Sequence, residues 1–137
     1  MRLLLDTHVL IWALNEPAHL ATATRDLLED PSNEVTFSAA SIWEIAIKAK
    51  LGITDFGFRP DQIARSARET GFVELPVSAE AAARVADLPL HHRDPFDRLL
   101  VAQAMVEPMR LYTADPQLAH YSELVQLIAG GIGRDVQ

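Results

Sequence analysis

The stretch that decides the fold is RLLLDTHVLIWAL at residues 2–14, where an apolar run ends abruptly at an acidic residue and a second apolar stretch follows. Residues 2–5 form the short apolar run that is typical of a strand buried on both faces. The residues after Asp6 predict a helix over 7–14, which ends before Pro17. We therefore predict that the chain begins with a buried strand, an aspartate at its carboxyl end, and a helix.

The rest of the chain continues this alternation of strands and helices. Further strands are predicted at residues 34–38, 72–75, 110–113 and 124–128, and further helices at 22–29, 40–51, 60–70, 78–86, 95–105 and 116–121. Short apolar strands that alternate with helices are typical of an α/β fold, with a mainly parallel sheet of about five strands and helices on both faces. We expect a single domain over residues 1–137, with a flexible glycine-rich tail at 130–137.

The composition of the chain limits the classes of function that it can have. Its 12 Lys and Arg residues stand against 19 Asp and Glu residues, and its net charge is -7. This balance argues against a general basic surface for nucleic acid and suits a protein that binds divalent cations or a basic partner. The absence of cysteine excludes disulfides and thiolate metal sites. No apolar stretch approaches the roughly 18–20 residues of a membrane span, and we expect a cytoplasmic protein.

Four acidic residues occupy comparable places relative to the predicted elements. Asp6 closes the first strand, Glu44 lies early in the helix after the second, Asp97 lies in the first turn of the helix at 95–105, and Asp115 follows the fourth strand. Because the carboxyl ends of parallel strands meet at one sheet edge, we expect these carboxylates to lie close together. A divalent cation removes the cost of their repulsion, and Mg²⁺ and Mn²⁺ prefer carboxylate oxygens. The sequence thus predicts four catalytic acids, with Asp6 and Asp97 as metal ligands.

Helix capping is the alternative interpretation of each acid. Asp6 and Asp115 both precede predicted helices, where an aspartate is a favoured N-cap. Ser41-Ile42-Trp43-Glu44 matches the S-x-x-E capping box, and Asp94-Pro95-Phe96-Asp97 offers an N-cap, a proline at N1 and an acid at N3. For any one residue capping is the more common role. Only a metal site, however, requires all four acids to lie at one edge of the sheet.

Several neighbours of these acids are candidates for supporting roles, although a structural role fits each of them as well. The hydroxyls of Thr7 and Thr113 lie close in sequence to site acids and can orient a water or an acid. Asp94 is three residues before Asp97 and is interpreted first as an N-cap and then as a supporting acid. Arg93 and Arg98 flank the acids and either contact phosphate or pair with the carboxylates. For the nearby histidines a solvated or helix-facing role is favoured over metal binding: His8, His91 and His92.

Four blocks of the sequence together resemble a known family. They are LLLDTHVLIWAL, SAASIWEIAIKAKLG, LPLHHRDPFDRLLVAQA and LYTADPQLAHY, which follow one another from residue 2 to about residue 121. In this order they resemble PIN-domain proteins of the VapC type, the toxin halves of bacterial toxin–antitoxin pairs. The block around Asp94-Pro95-Phe96-Asp97-Arg98 is the most specific of the four.

The resemblance implies an α/β/α sandwich and cleavage of RNA that depends on Mg²⁺ or Mn²⁺. It assigns the acidic site to Asp6, Glu44, Asp97 and, through the T-x-D pattern, Asp115. It also implies a homodimer and a cognate VapB-type antitoxin, which would bind operator DNA through its own N-terminal domain and block the toxin's groove with a C-terminal arm.

The third helix independently suggests a protein partner, because apolar residues surround much of it. Ile42, Trp43, Ile45, Ala46 and Ile47 suit burial by the sheet on one side and by another chain on the other. Trp12, Phe56 and Phe58 would extend this surface, and ordinary core packing is the alternative.

Two other functions remain open at this point. One is Mg²⁺-dependent phosphoryl transfer with Asp6 as the nucleophile, and the other is a non-catalytic binding module in which every acid is a helix cap.

Overall fold

Five strands form one fully parallel sheet in the computed structural model, which describes residues 1–53, 57–90 and 94–128. The strands are β1 (Arg2–Leu5), β2 (Glu34–Ser38), β3 (Val73–Leu75), β4 (Arg110–Thr113) and β5 (Val125–Leu127). Their order is β3-β2-β1-β4-β5, and each neighbouring pair is parallel. The predicted parallel sheet of about five strands is therefore confirmed.

Six α-helices connect these strands within the described residues. They are α1 (Thr7–Asn15), α2 (Thr22–Glu29), α3 (Ala39–Lys50), α4 (Pro60–Thr70), α5 (Ala79–Arg84) and α6 (Pro95–Val106). The prediction of a single helix over 78–86 was wrong in its last two residues, because the α-helix stops at Arg84 and a 3-10 turn covers Val85–Asp87. The segment Pro116–His120 is likewise a 3-10 helix. Both segments are short, and 3-10 geometry is common in such single turns.

The two faces of the sheet are buried under separate apolar layers, as the short apolar strands predict. Leu3 and Leu5 of β1 pack in one cluster with residues of α1, α3 and α4. Leu4, which points to the other face, packs in a second cluster with residues of α6 and with Leu111 of β4. Successive side chains of a strand point to opposite faces, so β1 contributes to both layers. The result is the α/β/α arrangement that positions the site.

The strand order reverses at β1, which has β2 on one side and β4 on the other. In open parallel sheets a crevice forms outside the carboxyl ends of the strands at such a reversal. Asp6 follows β1 directly, and Thr113 is the last residue of β4. The fold therefore places the candidate residues of these two segments at the crevice.

Two glycines end helices as the sequence predicts. Gly71 has a φ of 100° after α4, and Gly52 has a φ of 71° after α3. Both angles lie in the left-handed region that favours glycine at the end of a helix. None of the described helices combines the length and the hydropathy that a membrane span requires. The predicted tail at 130–137 lies outside the described residues.

Candidate active site

Asp6 serves both as a helix cap and as part of a buried polar site. Its Oδ1 accepts a hydrogen bond of 2.9 Å from the backbone N–H of Val9, which makes it the N-cap of α1. Its Oδ2 accepts a hydrogen bond from the hydroxyl of Thr113. Only 6% of Asp6 is exposed. The capping alternative is thus correct for one oxygen, while the other faces the end of β4.

Glu44 lies on the face of α3 that is turned toward Asp6 and is only 2% exposed. Thr7 donates a hydrogen bond of 2.5 Å from its hydroxyl to Glu44 Oε1, and the ammonium of Lys48 lies 2.7 Å from Oε2. Thr7 Oγ1 also lies 3.0 Å from Ser41 Oγ. Because the single hydroxyl proton of Thr7 goes to the carboxylate, Ser41 is the donor in that second pair. Two donors therefore fix the carboxylate of Glu44 from opposite sides.

The capping box suggested by Ser41 and Glu44 is not formed. Ser38 is the N-cap of α3, and its hydroxyl accepts from the backbone N–H of Ala40. The helix thus begins at Ala39, so that Ser41 and Glu44 both lie inside it. The capping alternative is wrong for Glu44, whose burial has to be explained by the site.

Asp94 and Asp97 lie together at the start of α6. Asp94 is the N-cap and accepts a hydrogen bond of 2.9 Å from the backbone N–H of Phe96 through Oδ1. Its Oδ2 lies 2.6 Å from Nζ of Lys48. Asp97 lies in the first turn of the same helix. The ion pair of Lys48 with Asp94 links this end of α6 to α3.

A buried amide group helps to hold α6 against the sheet. The side-chain oxygen of Gln103 accepts a 2.5 Å hydrogen bond from the hydroxyl of Ser38, and its nitrogen donates to the carbonyl of Pro76 at 3.3 Å. Ser38 and Gln103 are 0% and 2% exposed, so these bonds are shielded from water. They fix the helix that carries Asp97 relative to the end of β2, next to Glu44.

Asp115 is joined to Asp6 through Thr113. The backbone N–H of Asp115 donates to the hydroxyl oxygen of Thr113 at 3.0 Å, while that hydroxyl donates its own proton to Asp6. Asp115 Oδ1 accepts from the backbone N–H of Gln117 and caps the 3-10 helix, as the capping alternative predicts. Asp115 is half-buried, so it lies at the rim of the site.

The acids act on one another strongly. Burial raises the pKa of Asp97 to about 8, and the charges of Asp94, Glu44 and Asp6 add to this effect. Burial also raises the pKa of Asp6, against the lowering effect of its hydrogen bonds with Thr113 and Val9. Carboxyl groups repel in this way only when they share a poorly solvated region. The contacts agree, because Thr7, next to Asp6, bonds to Glu44, and Lys48 joins Glu44 to Asp94 at the start of the helix that carries Asp97.

The described acids do not form a ready-made metal cage. Within residues 1–53, 57–90 and 94–128, no group of three or more Asp, Glu or His side chains is placed to hold an ion. Mg²⁺ commonly binds through one or two carboxylates and several waters, which needs no such cage. Asp6, Glu44 and Asp97 can therefore supply a few ligands and several acceptors for bound water.

Comparison with known proteins identifies the family. The family model of the PIN domain matches residues 3–124. The chain belongs to the PIN-domain family. The four sequence blocks imply a PIN-domain fold. Their resemblance to the VapC type is confirmed by the match of this chain to Ribonuclease VapC22.

Two curated relatives and one solved structure illustrate the likeness. The chain is 33% identical over 120 residues to Ribonuclease VapC22 of Mycobacterium tuberculosis, which covers 84% of this chain and 88% of the relative. It is 37% identical over 110 residues to a tRNA (cytidine(34)-2'-O)-methyltransferase of Beijerinckia indica, and this match covers 67% of each chain. A structure of VapBC2 from Rickettsia felis bound to promoter DNA aligns with 93% of this chain and 99% of its own, at a TM-score of 0.67 and 15% identity. At that identity the structure supports the PIN fold alone.

Lys48 is the residue of this PIN-domain site that the sequence analysis missed. A signal was available, because a lysine four residues after a glutamate lies on the same face of a helix. Glu44 was instead paired with Ser41, three residues before it, in a predicted capping box. The contact of Lys48 with Asp94, which lies 46 residues away, had no sequence signal.

The arginine and histidine predictions have a mixed outcome. Both Nη atoms of Arg98 donate to the 85–90 segment, with bonds of 3.0 Å to the carbonyls of Pro89 and Val85. These bonds give Arg98 a structural role, and its contact with phosphate stays a prediction. His8 is exposed, as a solvated role requires. The remaining predicted residues lie outside the described ones: Phe56, His91, His92 and Arg93.

Thr113→Val is expected to destabilise the protein by about 1.5–3 kcal/mol, the usual range for a hydrogen bond to a charged group. Thr113 is 0% exposed, so no water replaces its hydroxyl beside Asp6. Urea unfolding at neutral pH measures the change in the free energy of unfolding. Thr70→Val is the control, since the exposed hydroxyl of Thr70 bonds only within α4, and it should change that energy by less than about 0.5 kcal/mol. Equal effects of the two substitutions would remove the role assigned to Thr113.

Proposed function

We propose that this PIN-domain protein is a metal-dependent endoribonuclease that acts as the toxin of a toxin–antitoxin pair. The observation that carries the proposal is that Asp6 and Glu44 are buried near a half-buried Asp97 at the switch point of the sheet, where Asp97 has a pKa of about 8. A fold gains nothing from such repulsion, whereas a bound cation relieves it. The ribonuclease named among the relatives supports the choice of RNA.

The donor set suits Mg²⁺ or Mn²⁺. Hard cations prefer carboxylate oxygens, and the site offers acids without thiolates. We assign Asp6 and Asp97 as direct ligands, while Glu44 and Asp115 accept hydrogen bonds from bound water. When bound, the ion lowers the pKa of a water that attacks phosphorus and stabilises the charge that develops on the phosphoryl oxygens.

The protein's own contribution is to hold these acids in place. Thr113 orients Asp6, and Thr7 orients Glu44, in each case by donating a hydroxyl proton to one carboxylate oxygen. Fixed acceptors would hold a bound water near the acids without reorganisation during the reaction. We therefore assign to the two threonines the supporting roles that the sequence suggested.

The phosphoryl-transfer alternative is less well supported. Oδ1 of Asp6 accepts a hydrogen bond from Val9 and Oδ2 accepts one from Thr113, and these bonds lower the nucleophilicity of both oxygens. Treatment with acetyl phosphate distinguishes the two mechanisms, and we expect no aspartyl-phosphate adduct at Asp6. The methyltransferase named among the relatives is also a weaker guide, because methyl transfer needs no buried cluster of acids.

A VapB-type antitoxin is the proposed protein partner. The structural neighbour from Rickettsia felis is a VapBC complex on promoter DNA, and an acidic site would attract an antitoxin arginine. We assign contact with operator DNA to the antitoxin, since the chain itself has a net charge of -7. The proposed substrate of the chain itself is RNA.

A homodimer is proposed from the exposed face of α3. Ile45 is fully buried, whereas Trp43 and Ile47 are 57% and 37% exposed on the same helix. This division fits burial by the sheet on one side and by a second chain on the other. Trp12 and Phe58, which were predicted to extend this surface, are partly buried against the apolar core of the α1 side, and their contribution to a dimer stays a prediction.

The ribonuclease proposal is tested by incubating the protein with a mixed pool of RNA oligonucleotides. We expect cleavage with Mg²⁺ or Mn²⁺ and none with EDTA, measured as new RNA ends by sequencing. A protein freshly freed of copurified antitoxin is required, because a bound antitoxin would block the site. Cleavage that persists in EDTA would rule out the metal mechanism. Methyl incorporation without cleavage, in a parallel incubation with a labelled methyl donor, would favour the methyltransferase relative.

A further inference from the structure

A lysine ammonium lies inside the candidate active site. Lys48 follows Glu44 by one turn of α3, and its Nζ lies 2.7 Å from Glu44 Oε2 and 2.6 Å from Asp94 Oδ2. The side chain of Lys48 is only 18% exposed. The same nitrogen lies 5.7 Å from the centroid of the Phe96 ring, near enough for a cation–π contact. A positive charge is therefore held between two carboxylates where α3 meets the start of α6.

Stability alone explains this arrangement poorly. The side chains of Glu44 and Asp94 are 3% and 21% exposed, so all three charges give up hydration to meet. For buried ion pairs this desolvation penalty cancels much of the attraction. The ammonium has a second effect, however, since its charge opposes the repulsion that Glu44 and Asp94 exert on Asp97. Lys48 thus offsets the negative charges of Glu44 and Asp94, as a bound metal ion would.

We propose that Lys48 is a positioning residue that takes the place of a second metal ion, so that the site binds one divalent cation instead of two. The inference rests on the proposed function, because it presumes that the acids bind metal. Two-metal centres are common among enzymes that cleave phosphodiesters, so the number of ions is a real variable.

The geometry around Nζ supports the proposal that the ammonium occupies the place of a metal ion. Oε2 of Glu44 and Oδ2 of Asp94 converge on one point at 2.7 and 2.6 Å. Mg²⁺ binds oxygen at about 2.0–2.1 Å, so small side-chain movements would turn the same two oxygens into metal ligands. The charge of the site points the same way. When Asp6, Glu44, Asp94 and Asp97 are all ionised, the ammonium of Lys48 offsets one of their four negative charges and so weakens the attraction for a second divalent ion.

The ammonium also determines what Glu44 can do. With Thr7 on Oε1 and Lys48 on Oε2, both oxygens of Glu44 already accept a hydrogen bond. Because the positive charge of Lys48 lies against Oε2, direct binding of a cation to Glu44 is disfavoured, and Glu44 is held as an acceptor for water while Asp6 and Asp97 remain the proposed metal ligands.

The test is the number of Mn²⁺ ions bound per chain, measured by equilibrium dialysis and by the electron paramagnetic resonance signal of free Mn²⁺. We expect one ion for the wild-type chain and two for Lys48→Met, which removes the charge and keeps an unbranched apolar side chain. Lys48→Met/Asp94→Asn should return to one ion, because the second site then lacks a carboxylate. If Lys48→Met does not fold, Lys48→Ala refolded with Mn²⁺ gives the same comparison.

Lys50→Met is the matched control, since Lys50 is exposed in the last turn of the same helix and its loss changes net charge equally. It should bind one ion, which excludes a gain from overall charge. One ion bound by both the wild type and Lys48→Met, or two bound by the wild type, would overturn the inference and leave the nuclease proposal intact. No Mn²⁺ bound by the wild type would instead overturn the proposed function itself.

Discussion

Asp6→Asn is expected to reduce metal-dependent RNA cleavage by at least about 100-fold, because even residues that only orient metal ligands cost 10–100-fold when lost. The fold should persist. Asparagine is as good an N-cap as aspartate, so its side-chain oxygen can still accept from the N–H of Val9. The hydroxyl of Thr113 can turn and accept from the new amide. The substitution therefore removes a charge with little change of shape, and initial cleavage rates at saturating Mn²⁺ measure the effect.

Asp26→Asn is the matched control for this substitution. Asp26 is exposed on α2, away from the sheet edge, and its replacement should leave the rate within about twofold. Circular dichroism of both variants checks that the fold is retained. Full activity of a folded Asp6→Asn protein would show that the buried acids do not carry the reaction.

Asp97→Asn is expected to stabilise the protein in the absence of metal, and to do so more strongly as the pH rises. The pKa of Asp97 is about 8 in the folded chain against an ordinary value of 3.8, mainly because of burial. Between these values the folded state holds a proton that the unfolded state lacks, so stability falls as the pH increases. Asparagine removes this penalty. At pH 8 we expect a gain of about 1–3 kcal/mol, less than the full pKa shift gives, because Asp97 is half-buried and partly screened.

Urea unfolding at pH 5 and pH 8 in EDTA measures this difference. The loss of an acid from the first turn of α6 works in the other direction, but it costs only about 0.3–1 kcal/mol. With saturating Mn²⁺ the order should reverse, because the ion binds the folded wild type and stabilises it. A variant that is less stable than the wild type at pH 8 without metal would favour the capping interpretation of Asp97.

The parts of the site that are encoded locally were predictable from the sequence. Asp6 could be placed because an apolar strand ends immediately before it, and Asp97 because Asp94-Pro95 marks the start of its helix. Both are signals carried by a few adjacent residues. The parallel sheet then brings the two together, which follows from the alternation of strands and helices. The position of the candidate site at this edge of the sheet could therefore be predicted from the sequence alone.

Contacts between distant segments were not predictable in the same way. Ser38 and Ser41 are equally good N-caps in sequence, and only the end of β2 decides that α3 begins after Ser38. The position of Lys48 between Glu44 and Asp94 depends on how α3 packs beside α6. Arg98 looked like a phosphate ligand because it is basic and adjacent to Asp97. Its guanidinium also binds carbonyls of the 85–90 segment, a contact that the sequence did not predict, and its contact with phosphate stays a prediction.

Calorimetric titration with Mn²⁺ tests most directly whether the acids of the candidate site bind a cation together. The proteins compared are the wild-type chain, Asp6→Asn and Asp26→Asn. If the acids at the ends of β1 and α6 and on α3 hold an ion between them, the wild type and Asp26→Asn bind Mn²⁺ alike and Asp6→Asn binds at least about tenfold more weakly. Equal, weak binding by all three proteins would mean that these carboxylates are buried for another reason.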